Sequence, residues 1–168
     1  MPARQAMEAA FRDADARLDR LRGRMETYAD DRLLDDGGKW SVRDCLSHVA
    51  SSSRVSGAGQ RALERLSGRA SAPTSGAPSI DERNAQQVAE RTGKSIAELI
   101  AEIKENHRLA QVDIAAMDDA ALDQKIPATL PNGPATSVGG VILRMLEYHE
   151  GGQMDRIENA LRARTRWV

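Results

Sequence analysis

The 168-residue chain has one cysteine, one phenylalanine, two tryptophans and two tyrosines, and neither sign of charge is in excess. A lone Cys45 cannot close an internal disulfide, so the core must hold the fold, and a reducing compartment, the cytoplasm, is the expected location. Aromatics at 3% leave few platforms on which bases could stack, and 24 basic against 25 acidic residues give no electrostatic reason to expect nucleic acid or an anionic membrane surface. Nowhere do about 18 apolar residues run together, as a membrane span requires. The opening MPARQAMEAAFRDADARLD carries charges throughout instead of the apolar centre of a signal peptide. Neither nucleic acid nor membrane is an expected partner. What is present is 40% hydrophobic and 29% charged residues, the profile of a globular protein, at a length that suits one domain over 1–168.

The hydrophobic residues recur at helical spacing. Met7, Phe11, Ala14, Leu18, Leu21, Met25 and Tyr28 alternate steps of four and three with charges between them, which makes one apolar stripe along a first helix. The near-seven-residue repeat suits shallow packing against neighbouring helices. Asp35, Asp36, Gly37 and Gly38 interrupt it. After Trp40, Ser41-Val42-Arg43-Asp44 reads as a capping box that opens a second helix near Val42, continuing to Leu63 and Leu66. Its middle, Ala50 to Gly59, is nearly empty of large side chains, which allows either close helix contact or an unfilled pocket. Gly68 to Ser79 reads as a loop. Ser79-Ile80-Asp81-Glu82 and Ser95-Ile96-Ala97-Glu98 are two further capping boxes with a break near Gly93. The longer part places Ile96, Leu99, Ile100, Ile103, Ala110, Ile114 and Met117 on one face. A link from Ile126 to Pro134 precedes a last helix from about Ser137 to Arg162, with Val138, Ile142, Met145, His149 and Ile157 inward. No strand-like alternation extends beyond a few residues.

Of the three histidines, His48 and His149 fall on inward stripes, and Gln153 follows His149 by one helical turn on the same face. Imidazole is the commonest protein metal ligand, and helical cores build metal sites from side chains on facing helices. The bland alternative is two hydrogen-bonded core histidines. His107 is in phase with Ile100, Ile103 and Ala110, so it could approach the interior from the third helical region. Asp44, one turn before His48, is either a cap or a carboxylate that orients the imidazole. Cys45 reads as a small buried hydrophobe, with a nucleophile or soft ligand as its alternative. Trp40 is a packing anchor or a substrate platform, and Gly151 and Gly152 open space beside His149. The basic tail Arg162-Ala163-Arg164-Thr165-Arg166 reads as a solvated helix end.

Three phrases carry a family resemblance. Gly38-Lys39-Trp40-Ser41-Val42-Arg43-Asp44-Cys45-Leu46-Ser47-His48-Val49 resembles the DinB-like (YfiT-like) signature, in which a tryptophan and a small cap open helix 2 and a histidine follows one or two turns in. Glu147-Tyr148-His149-Glu150-Gly151-Gly152-Gln153-Met154-Asp155-Arg156-Ile157 resembles the last-helix signature, where the family usually has His-x-x-x-His. Arg83 to Arg91 with the following Ser95-x-x-Glu98 is similar to the mycothiol-dependent maleylpyruvate isomerase N-terminal relatives. The resemblance implies an all-α, up-up-down-down four-helix bundle, often a homodimer, with a divalent metal (Zn, Ni or Fe) on three histidines. Carried over by position, His48 and His149 are metal-binding and catalytic, and Gln153 stands where a third histidine is usual. An amide oxygen is a weaker zinc donor than imidazole, so that departure bears directly on the metal. Trp40, Ser52, Asn84 and Gln153 are the implied substrate-binding positions.

Two functions follow as expectations. One is a metal-dependent enzyme that acts on a small electrophilic metabolite, by thiol S-transfer or thiol-assisted isomerisation with a low-molecular-weight thiol such as mycothiol. The other is a metal-free small-molecule-binding or self-resistance protein, hydrolase-like in chemistry, in which the same cavity holds a hydrophobic metabolite. A helical interaction module without chemistry is a third reading, and it leaves the inward histidines without a task.

Overall fold

In the computed structural model, residues 3–33, 35, 37–68, 76, 78–126 and 136–164 are described. Most of the Gly68–Ser79 stretch, nearly all of the Ile126–Pro134 link, Asp36, and Thr165 and Arg166 of the basic tail lie outside them.

Helix α1 (Ala3–Thr27) buries Met7, Phe11, Leu18, Leu21 and Met25, the stripe that its spacing dictates. The chain turns through Gly37 and Gly38, whose φ values of 71° and 79° favour residues without a Cβ. Leu33 N–H then bonds the Trp40 carbonyl at 2.8 Å, closing the turn just before α2 (Val42–Ser52). Ser41 and Asp44 form the capping box in both directions, which starts α2 where the sequence places it.

The expected long second helix is instead two, α2 and α3 (Ser56–Leu66). Three successive serines account for the break. Ser51 and Ser52 Oγ donate to the His48 carbonyl at 2.7 and 3.1 Å and Ser53 Oγ to that of Ala50 at 3.1 Å, local bonds that compete with continuing the helix. Asn106 Nδ2 holds the freed end, donating to the Ala50 carbonyl at 2.9 Å. Beyond the break, Gly59 meets the last helical region so closely that a Cβ there would lie 2.7 Å from Ile142 Cδ1. At that position the small residues serve close packing and leave no pocket.

Capping boxes at Ser79/Glu82 and Ser95/Glu98 start α4 (Ile80–Ala89) and α5 (Ile96–Ala115), with Gly93 at φ 90° in the turn between them. Helix α5 buries the expected aliphatic stripe, and with it His107. A short α6 (Asp119–Asp123) follows, and β1 (Lys125–Ile126) pairs antiparallel with β2 (Thr136–Ser137).

The last helical region differs from its sequence reading. It consists of α7 (Val138–Arg144), a π-helical turn (Met145–Glu150) and α8 (Gly151–Arg164). Its buried face runs Val138, Ile142, Leu146, Glu150, Met154, Ile157, Leu161. Steps of four overshoot an α-helical turn by about 40° each, so four in succession would rotate the face by about 160°. The wider π turn absorbs that drift. As a result Leu146 and Glu150 are buried where Met145 and His149 were expected, and those two are only half-buried.

Helices α1, α5, α2 and α8 contact one another in a closed cycle, α1 with α5, α5 with α2, α2 with α8 and α8 with α1. One apolar cluster joins Leu18, Leu21, Met25, Leu46, Val49, Leu99, Ile103, Ile157 and Leu161. A second joins Met7, Phe11, Val55, Ala110, Ile114, Leu122, Val138, Ile142 and Leu146. Along α1, α5 and the last region, the residues between the two clusters are Asp15, His107 and Glu150. These form a charged layer across the interior. Among the described residues, no helix is long and apolar enough to cross a membrane.

Candidate functional site

His48 lies on the buried face of α2, 4% exposed. Its ring stands edge-on between two others, Trp40 at 5.2 Å and His149 at 5.1 Å between centroids, with interplanar angles of 60° and 77°. Burial, reinforced by the neighbouring His149 and Arg156, lowers the His48 pKa below the ordinary imidazole value, against a hydrogen bond with Gln87 that raises it. His48 is therefore neutral at pH 7 and keeps a lone pair. Its Nδ1 is buried without a hydrogen-bond partner.

The position one turn after His149 is occupied differently from an open donor. Gln153 Oε1 accepts from Arg156 Nη1 at 2.8 Å and from the Cys45 thiol at 3.2 Å. Arg156 in turn lies over the Trp40 ring, 5.8 Å from its centroid, and donates to Asp35 at 2.6 Å. The Arg156 hydrogen bond lowers the Asp35 pKa, so this ion pair stays formed at neutral pH. Cys45 is buried.

Of the remaining expected positions, Ser52 Oγ donates to the carbonyls of His48 and Val49 at 3.1 and 3.2 Å, within its own helix. Asn84 is half-buried on α4, one turn before Gln87. Asp44 belongs to the capping box, where its Oδ2 accepts the Ser41 N–H at 2.9 Å. Gly152 has nothing within 4 Å of where a Cβ would stand, so space is open beside Gln153.

Two polar residues of this site escaped the sequence reading. Gln87 joins α4 to it, accepting from Ser51 Oγ at 2.9 Å while bonding His48. Arg156 follows Gln153 by three residues, a spacing that is itself a neighbour signal on a helix. The third histidine lies elsewhere. His107 is 0% exposed, with Nδ1 2.7 Å from Asp15 Oδ1 and Nε2 3.0 and 3.1 Å from the two oxygens of Glu150. Phe11 meets its ring edge-on at 5.2 Å.

A divalent ion of the kind the family resemblance implies needs converging donors. Two imidazoles that share a tetrahedral ion at a metal–nitrogen distance of about 2.0–2.1 Å have centroids about 5 Å apart. The His48–His149 separation of 5.1 Å and the unpartnered Nδ1 fit that requirement. The third donor fits less well, because the Gln153 oxygen already serves Arg156 and Cys45. Among the described residues no group of three or more His, Cys, Asp or Glu side chains is spaced to hold a metal.

Among curated proteins and among solved structures, nothing matches the chain. The family model of the DinB superfamily matches residues 3–152, a span that runs from the start of α1 through both His48 and His149 and ends one residue before Gln153. Matched over that length, the chain belongs to the DinB superfamily.

Proposed function

We propose that this DinB superfamily chain is an enzyme acting on a small electrophilic metabolite, with its chemistry centred on His48 and His149. The observation that carries the reading is the pairing of two imidazoles from separate helical regions, one of them buried, neutral and with an unpartnered nitrogen. A buried polar atom left without a partner is uncommon enough to need a reason, and a ligand is one. His48 and His149 would hold a divalent ion such as Zn, Ni or Fe. When bound, such an ion supplies a lowered pKa to a coordinated thiol or water, so that the anion forms at neutral pH.

The chain's own residues do the rest. Burial keeps His48 deprotonated and thus a donor. Trp40 walls one side of its ring, and Arg156, stacked on Trp40, brings a positive charge that favours an anionic nucleophile over its neutral form. The reaction class that suits such a site is thiol S-transfer or thiol-assisted isomerisation with a low-molecular-weight thiol, and kinship with the mycothiol-dependent maleylpyruvate isomerases belongs to the same proposal. So do one domain over 1–168, a homodimer, a cytoplasmic location, and an up-up-down-down four-helix bundle, which the closed cycle of helix contacts supports.

A second reading is favoured by one specific observation. Because Gln153 Oε1 is taken by Arg156 and Cys45, the same site would also suit a metal-free protein that binds or hydrolyses a hydrophobic metabolite. Elemental analysis of freshly purified protein separates the two. Stoichiometric metal that disappears in His48→Ala together with activity is the expected result. Full activity in metal-free protein would overturn the metal-dependent reading and leave the second.

A further inference from the structure

The proposed site makes no use of the ion cluster in the protein interior. His107 of α5 and Glu150 of the π turn are both buried, and the two carboxylate oxygens of Glu150 lie 3.0 and 3.1 Å from His107 Nε2. Asp15 of α1 takes the other ring nitrogen at 2.7 Å, and Phe11 meets the ring edge-on at 5.2 Å, so the imidazole cannot turn without losing a partner. Burial lowers the His107 pKa, but the two acids outweigh it and raise it to about 9, which leaves the ring charged at neutral pH. Glu150 is thereby tied to both α5 and α1.

The π turn depends on that tie. Its buried side chains are Leu146 and Glu150, so one of its two inward anchors is a carboxylate. A buried carboxylate without a counter-charge is strongly disfavoured, and Glu150 stays inward because His107 meets it there. In an unbroken α-helix, a residue seven positions on comes round to within about 20°, so His149 would point as Ile142 does, into the apolar cluster. Glu150, eight positions on, would stand about 80° aside. The extra residue of a π turn rotates that arrangement by about 100°. It brings Glu150 to His107 and leaves His149 half-buried, with its ring 5.1 Å from that of His48. Because His149 is only half-enclosed, the backbone beneath it decides where its ring points.

We propose that His107 and Asp15 are positioning residues for the histidine pair: by holding Glu150 they hold the π turn, and the π turn sets the His149 ring against His48. The geometric half of this stands without any ion, whereas its consequence for chemistry rests on the reading of His48 and His149 as the reacting centre. A ligand shared by two imidazoles needs them at a fixed separation, and the clamp on the residue next to His149 supplies it.

Nuclear magnetic resonance of isotope-labelled, metal-free, full-length protein tests the geometry. The wild type is expected to show a nuclear Overhauser effect between the ring protons of His48 and His149. Glu150→Ala, which leaves His107 paired with Asp15, should lose that effect and shift the amide signals of the π turn. Glu150→Gln, whose amide oxygen can still accept from His107 Nε2, should keep it. Leu122→Ala, a truncation in the same apolar cluster as Leu146 but beside Gly139 at the start of α7, should leave it unchanged. Zinc affinity, read by competition with a chelator, should follow the same order, about ten-fold weaker in Glu150→Ala and near the wild-type value in the other two. If Glu150→Ala does not fold, Asp15→Ala takes its place, since the Asp15 side chain is 33% exposed, and the ring-to-ring effect should weaken. An effect missing from the wild type, kept at full strength in the folded Glu150→Ala or its replacement, or abolished equally by Leu122→Ala overturns the proposal. A wild type that binds no zinc, yet loses the ring contact in Glu150→Ala, upholds the positioning and sinks the metal-dependent reading instead.

Discussion

Raising the pH from about 6 to about 10 should cost this protein about 3 kcal/mol of stability through His107 alone. Burial by itself would lower the pKa of that imidazole, but hydrogen bonds to Asp15 and Glu150, together with their charges, outweigh it and raise the value from 6.5 to about 9. Because the folded-state pKa lies above the unfolded one, the stabilisation is fully present below 6.5, declines as the pH rises, and is gone above about 9. At about 1.4 kcal/mol per pKa unit, the difference amounts to about 3 kcal/mol. Urea denaturation of the wild type and of His107→Gln at both pH values isolates the His107–Asp15–Glu150 cluster, since titrating groups outside it are common to the two proteins. The stability gap between them should shrink by that amount from low to high pH. His107→Gln leaves Asp15 and Glu150 without a counter-charge, a loss of about 3–5 kcal/mol at neutral pH. Should it not fold, the ring protons of His107 in the wild type report the same quantity by nuclear magnetic resonance. A gap that is equal at both pH values, or ring signals that titrate near the ordinary imidazole value, would refute the charged clamp.

Three other outcomes are expected. Gln153→His frees the site from the amide that Arg156 and Cys45 now share and should raise zinc affinity by about ten-fold or more, read by competition with a chelator; no gain would argue that His48 and His149 serve a metal-free pocket. Gly59→Ala gains about 0.5–1 kcal/mol of helix propensity but drives a methyl against the buried Ile142, which overpacks by about 1–3 kcal/mol, so thermal denaturation should find net destabilisation, and a stabilised variant would mean that α3 and α7 are not packed as described. Ser41→Ala removes the acceptor of the α2 capping box and should lower stability by about 1 kcal/mol, whereas an unchanged melting temperature would mean that α2 does not begin there.

Local signals carried most of the secondary structure. The stripe of α1 and the capping boxes at Ser41, Ser79 and Ser95 are relations between residues three or four apart, and each stands in the structure where the sequence puts it. The break at Ser53 was less legible. Serines in a helix compete for its carbonyls, but whether they win depends on a partner such as Asn106, 56 residues from the carbonyl it holds. Of the candidate site, the sequence showed His48 on an inward face and Gln153 in place of a third histidine, while His149, expected inward, is half-buried yet still meets the His48 ring. The partners of Gln153 were not legible.

What the sequence by itself determined is a helical chain with His48 on a buried face, because hydrophobic periodicity and caps are short-range properties of the backbone. What only the tertiary structure decided is how the helix faces meet. His107 finds Asp15 across 92 residues and Glu150 across 43, and no local pattern announces either partner. The π turn that brings Glu150 inward exists because a buried face with four-residue steps must stay against its neighbours, which is a demand of packing and not of propensity. For the same reason the role of Gln153 was open until Arg156 and Cys45 were seen to share its oxygen, since a side-chain amide takes whichever partners the fold delivers to it.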